Sequence, residues 1–248
     1  MQRSKAFYIR LGVIGLAVIA VAVAVWLLYP IVTSPFTPAE WDPAPKIDER
    51  LEQYGVPASI RSAMTDGQKQ FLCDHWPEGG RYVGFDSREV DVTGDGEPAM
   101  TVSVMGIRLA EKEDGESTGY MVFPSFVWHQ PTKIRGQFLD CELAHSNEME
   151  ASPNSRMRIY RQKPQAEAQT MEQMELEPLI VSAFGSGFSF DGQIGAIRGV
   201  YEGHGFLKFS TREDPPDAAL TLRYGLQRDS IQAEQVLYWM DSASIPTP

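Results

Sequence analysis

Oxygen donors recur at alternate positions in DVTGDGEPAM, residues 91–100: Asp91, Thr93, Asp95 and Glu97. Alternate side chains of a curling loop point inward, so such a run can surround a hard cation, calcium above all. Glu97 would use its backbone carbonyl. The closing carboxylate is missing, because Ala99 and Val102 stand where later donors belong. Asp86 or Glu89 could supply it from the preceding segment. The same residues also fit a polar hairpin turn, with Gly94 and Gly96 at positive φ and Asp95 bonding its own backbone. Calcium is therefore the cofactor to test, and Asp91, Thr93, Asp95 and Glu97 are its candidate ligands.

Over residues 91–100 the spacing resembles the first half of an EF-hand loop. It is also similar to the aspartate-rich loops of FG-GAP and VCBS-type β-repeats, where such a loop joins two strands. The second resemblance suits the strand-like segments on both sides. It implies a loop that braces a β-domain rather than one that performs chemistry.

Cys73 and Cys141 are the only cysteines. An oxidising compartment would join them, and closing a loop of about 70 residues contributes roughly 4 kcal/mol in the chain-entropy view. His75 and His145 lie near them in sequence, which raises a zinc set, although Cys-x-His is not the spacing of common zinc modules. A Cys/His nucleophile would need its thiolate protected from the second cysteine. His129, beside Trp128, reads as half-buried packing on a strand. His204, in YEGHGF, reads as a turn residue. FGSGFS, residues 184–189, lacks the G-x-S-x-G of a nucleophile elbow. Asp140 and Glu142 share a strand face by their spacing of two, a coincidence expected among 33 acidic residues. No catalytic constellation stands out.

The elements that would position these residues begin with two short helices. IDERLEQYG places Ile47, Leu51 and Tyr54 at helical spacing and stops at Gly55. TDGQKQFLCDHW opens with Thr65 and Gln68 in capping-box register. From Arg81 onward β-branched and aromatic residues take over, in 81–85, 99–109, 119–129, 133–143 and 156–161. Residues 165–176, rich in Ala, Glu, Gln and Met, predict a third helix, with Met171 and Met174 packing on the sheet. Asp191-Gly192 predicts a hairpin between two strands. Three further strand-like runs follow, near 205–211, 219–226 and 233–240, with turn residues between them. The predicted fold is α+β and β-rich: an antiparallel sheet, sandwich or partly open barrel, with two or three short helices. No β-then-helix alternation supports a doubly wound fold.

Ahead of this domain, Leu11 to Val32 carries no charge and is long enough to cross a bilayer. Phe7 and Tyr8 stand at one end, Trp26 and Tyr29 at the other, as aromatic residues do at membrane interfaces. A cleaved signal peptide would have a shorter apolar region. Arg3, Lys5 and Arg10 precede the run, which places residues 1–10 in the cytoplasm. Pro35, Pro38, Pro43 and Pro45 make 33–46 a stiff spacer, and residues 47–248 form the exported domain. Setting those three basic residues aside leaves 19 against 33 acidic ones, a net of −14. Such a surface excludes nucleic acid and an anionic membrane face as partners. The reading is a single-pass, membrane-anchored, extracytoplasmic protein of the cell envelope, binding or assembling with another envelope protein or complex and not catalytic. The alternatives are a tethered hydrolase, with a histidine and a carboxylate in a concave pocket, or an accessory subunit of a larger membrane complex.

Overall fold

The structure, a computed structural model, describes residues 36–91, 100–109, 118–129, 132–133, 137–143, 150–151, 156–162, 171–176, 180–181, 187–192, 198–212, 219–227 and 230–241, with Ile19 and Val23. The chain divides into two compact units, 1–37 and 38–248. In the first, Ile19 and Val23 are helical, one turn apart and exposed (62% and 49%). The rest of the predicted anchor, with the tail 1–10, lies outside the described residues. Among the described residues no helix is long and apolar enough to cross a membrane.

The second unit is β-rich, with a few short helices leading into it. Helix α1 (Ala44–Gln53) begins inside the predicted spacer, with Pro45 in its first turn, where a missing N–H costs nothing. Ile47 and Leu51, one turn apart, are buried. Its end is a Schellman motif. The Gly55 N–H donates to the Glu52 carbonyl and the Val56 N–H to the Leu51 carbonyl, at 2.9 and 3.0 Å. Gly55 takes φ +83° to allow this. A short helix α2 (Ala58–Ala63) that the sequence reading missed comes next. Helix α3 (Asp66–His75) is capped by Thr65, whose Oγ1 accepts the Gln68 N–H at 3.1 Å. The Gln68 side chain does not return to close a capping box; it points into the interior.

The strands form two antiparallel sheets. The first runs β9 (Met171–Leu176), β8 (Arg156–Gln162), β12 (Arg198–Thr211), β4 (Thr118–Trp128), β3 (Met100–Arg108), β2 (Arg81–Val90). The two-residue β1 (Thr37–Pro38) lies at its β9 edge, completing a seven-strand path. Short β5 (Thr132–Lys133) and β7 (Glu150–Ala151) also pair with β12. The second sheet runs β10 (Ile180–Val181), β11 (Gly187–Gly192), β6 (Gln137–Leu143), β13 (Ala219–Gln227), β14 (Ser230–Tyr238).

Two expectations are corrected here. Residues 171–176 are strand, not helix. Met174 opposes Ile159 and both are buried. Pairing with β8 along the whole segment outweighs the helical propensity of Met, Glu and Gln. Asp191-Gly192 is not a hairpin turn. It forms the paired end of β11, opposing Phe138 and Gln137 of β6, while β12 belongs to the other sheet.

The helices cover one face of the first sheet. Ile47, Leu51, Val56, Phe71, Leu72 and Cys73 pack there on Met105, Ile107, Met121, Phe123 and Phe206. On the opposite face Tyr120, Phe209 and Trp239 form an aromatic cluster with centroids 5.2–5.7 Å apart. The chain after β14 crosses β2 and β3 at Gly84 and Gly106, which oppose each other in register. There the Asp241 N–H donates to the Val83 carbonyl at 3.0 Å.

Candidate functional site

Directly opposed residues on neighbouring strands share a face. The register therefore lines up Glu175, Arg158, His204, Ser125, Ser103 and Ser87 as one polar row across six strands. The next row holds Gln173, Tyr160, Glu202, Val127, Thr101 and Glu89. Both rows lie on the face that the helices cover. The apolar rows through Met105 and Ile107 hold α1 and α3 down, while the polar rows take up the side chains that α3 sends inward.

Gln68 is one of these. Its Nε2 donates to Ser103 Oγ and Ser125 Oγ at 3.2 and 3.4 Å. Arg158 is another anchor. Its Nη1 donates to Asp74 of α3 at 2.5 Å and to the Tyr160 hydroxyl at 3.1 Å, and its Nε donates to Glu175. Burial works against the Arg158 charge, but the Tyr160, Asp74 and Glu175 partners together raise its pKa. Burial pushes the Tyr160 hydroxyl up to about 12, with Arg158 opposing it. Neither group exchanges protons near neutrality.

Glu202 and His204 sit at the centre. His204 is 1% exposed and Glu202 is 6% exposed. His204 Nε2 lies 3.4 Å from Glu202 Oε2 without hydrogen-bond geometry, and neither imidazole nitrogen has a hydrogen-bond partner among the described residues. The rings of Tyr160 and Phe71 flank it, with centroids 5.8 and 6.1 Å away. Thr65, the cap of α3, donates its hydroxyl to Glu202 Oε2. Gly67 presses on the same carboxylate so closely that an added Cβ would overlap it.

Above Glu202 opens a pocket of about 410 Å³. Its carboxylates are Asp42, Asp66 and Glu202; its apolar walls are Trp41, Ile47 and Met171; Ala44 and Gly67 leave the space. Asp42 already pairs with Lys46 at 2.8 Å and Arg50 at 3.4 Å. Among the described residues no histidine lines the pocket: His204 stands behind Glu202. His75, at the end of α3, is packed between the rings of Phe71 and Phe206, 4.4 and 5.0 Å away. Burial, with the Arg158 charge adding to it, holds its pKa below the ordinary value.

Thr93, Asp95 and Glu97 lie outside the described residues, and Asp91 directly follows β2. Because Val90 opposes Met100, the run 91–99 joins two paired antiparallel strands. Among the described residues no three His, Cys, Asp or Glu side chains converge on a metal position. Asp86 has partners of its own among the described residues. Its carboxylate accepts the Ser87 and Tyr238 N–H groups and pairs with Arg88. Five residues of extended strand, roughly 16 Å, separate it from Asp91. Glu89, two residues from Asp91 and exposed, remains the nearer carboxylate.

Cys73 carries a free, buried thiol 3.8 Å from the Ile47 carbonyl. Burial pushes that thiol up to about 11. Cys141 lies on β6 of the second sheet, opposing Phe188 and Leu222; its side chain is outside the described residues, as is His145. His129 is exposed just past β4, where its Nε2 meets the Thr101 hydroxyl at 2.9 Å, and is not half-buried packing. His204 is not in a turn; it is mid-strand and buried. The alternation Glu202-x-His204 was the available signal, since residues two apart on a strand share a face.

No protein-family model matches the chain, and no curated protein sequence matches it. Among solved structures, a serine-rich repeat protein from Streptococcus agalactiae is similar at a TM-score of 0.26 and 14% identity, over 63% of this chain and 48% of that one. The enzymatically active domain of tailspike protein 4 from bacteriophage CBA120 is similar at a TM-score of 0.22 and 8% identity, over 65% of this chain and 21% of that one. The chain thus spans about half the length of the first and a fifth of the second. At these scores neither likeness bears on fold or function.

Proposed function

We propose that the chain is a single-pass, membrane-anchored protein of the cell envelope whose extracytoplasmic β-rich domain, a sandwich of the two sheets, binds or assembles with another envelope protein or complex without catalysing a reaction. The composition of the pocket carries the non-catalytic part of this reading. Carboxylates, a tryptophan and aliphatic groups line it, while His204 stays behind Glu202 in the core. A catalytic histidine must come within hydrogen-bond reach of the proton it removes, and His204 is shielded from the pocket by Glu202. The anchor rests on the uncharged run 11–32 and the basic residues before it. The test is affinity capture of the full-length chain from detergent-solubilised membranes, with mass spectrometry of what accompanies it. A specific envelope partner supports the reading; turnover of a substrate panel with no partner recovered overturns it.

The contact between Glu202 and His204 favours a tethered hydrolase as the second reading. That reading requires His204→Gln to abolish turnover while leaving the melting temperature close to wild type. The binding reading requires no turnover in either protein.

A further inference from the structure

We propose that the pocket over Glu202 receives an organic cation: a primary ammonium or guanidinium carried on an aliphatic stem. The proposal deepens the binding reading above and rests on it. Glu202 is more than nine-tenths buried, which is costly for a carboxylate unless its oxygens are occupied. Oε2 is taken by the Thr65 hydroxyl and faces His204. Oε1 has no hydrogen-bond partner among the described residues, and Glu202 lines the pocket. A donor entering from the pocket would complete it.

The sign and shape of the pocket select the donor. Asp66, in the first turn of α3, stands with Glu202 on the lining; Asp42, also there, is already paired with Lys46 and Arg50. A bare divalent ion is the wrong guest, because among the described residues no three such groups converge on a metal position. Charges spread around about 410 Å³ suit a cation with a body of its own. Trp41, Ile47 and Met171 give that body an apolar wall, and an indole face attracts ammonium and guanidinium groups. The lysine or arginine side chain of a partner polypeptide has this chemistry, as does a free aliphatic diamine.

The test is isothermal titration of the full-length chain in detergent with four probes: cadaverine, a lysine-containing peptide, the same peptide with norleucine for lysine, and calcium chloride. The expected result is binding of cadaverine or the lysine peptide that weakens with salt, with at least about tenfold weaker binding of the norleucine peptide. Tighter binding of the peptide than of cadaverine identifies a polypeptide as the source; the reverse identifies a small amine. Glu202→Gln should weaken binding about tenfold or more. Since that change also disturbs the Thr65 bond, Asp66→Asn provides a second variant at an exposed position, expected to weaken binding while leaving the melting temperature unchanged. Equal affinity for the norleucine peptide, displacement of the amine by stoichiometric calcium, or wild-type affinity in both variants overturns the proposal. Failure here with a specific partner still captured removes the ligand class alone; failure of capture removes the binding module itself.

Discussion

His75 is a neutral group held in an apolar place, between Phe71 and Phe206, with no hydrogen bond to its Nε2 among the described residues. Burial and the Arg158 charge hold its pKa below 6.5. The unfolded chain therefore takes up a proton at higher pH than the folded one. Stability from this group is present in full above the unfolded value and is lost as pH falls from 6.5 through the folded value. Thermal melting between pH 7.5 and 5.5 should show a falling midpoint, and His75→Gln should flatten that fall. An equal slope in both proteins would assign the pH dependence to other groups. Cys73 makes the opposite case. Burial raises its thiol to about 11, so its stability contribution holds below the ordinary thiol range and is lost as pH rises through 9 toward 11. Two units also mean about 100-fold less thiolate at pH 8 than a free cysteine would carry. Iodoacetamide should leave Cys73 unlabelled in the folded chain and label it in denaturant without reductant. A Cys73–Cys141 cross-linked peptide under those conditions would instead show the disulfide that the two cysteines suggest by sequence. Single residues were the least legible part of the chain. YEGHGF has the composition of a turn, yet Gly203 is there because Phe126 and Ile159 crowd its position from the far face. That reason lies on other strands and leaves no local mark.

At the scale of elements, the ends of α1 and α3 were legible because their signals are local. Gly55 had to end a helix, and Thr65 had to start one. The Schellman end of α1 offers a clean measurement, because an added Cβ at Gly55 meets nothing within 4 Å. A substitution there tests backbone conformation alone. Gly55→Ala at φ +83° should cost about 1 kcal/mol in urea unfolding, and Gly55→Asn less, since Asn tolerates the left-handed region. Equal stability of Ala and Gly would mean that the cap is not formed in solution. Elements whose identity depends on distant partners were misread. β9 has helical composition and became strand because β8 offers it a full ladder. β11 ends in a hairpin dipeptide, yet its neighbours are β10 and β6. In both cases local propensity, worth tenths of a kcal/mol per residue, lost to pairing that the sequence does not display. The pocket follows the same rule. Trp41 and Asp42 come from a stretch that reads as a spacer, Asp66 and Gly67 from a helix start, and Glu202 from a strand; only folding brings them together.

For the whole molecule, the β-rich α+β class was legible from the density of strand-like segments, but the division into two sheets was not. Register, not composition, assigns β12 to one sheet and β13 to the other. What binds the C-terminal residues onto the first sheet is a close approach. Gly84 and Gly106 oppose each other on β2 and β3, and the backbone of Trp239 to Asp241 passes over them. At Gly106 an added Cβ would overlap the Trp239 carbonyl oxygen and come within 2.7 Å of its ring and 3.0 Å of Val83. Backbone cannot yield as a flexible side chain can, so Gly106→Ala must push the segment away and loosen Trp239 from Tyr120 and Phe209. A destabilisation of about 3 kcal/mol is expected, at the upper end of overpacking costs. Gly205→Ala is the matched control on the same sheet. Its nearest neighbours would stand at 3.3 Å from the new methyl, the Arg156 carbonyl and the end of Met157, and a small shift accommodates them. Urea unfolding of the two variants should therefore differ by about 2 kcal/mol or more, with the m-value unchanged for Gly205→Ala. Near-equal midpoints would show that the C-terminal segment does not rest on the Gly84–Gly106 pair. A large separation, together with loss of Trp239 burial by fluorescence in Gly106→Ala alone, would tie the stability of the domain to its last strand.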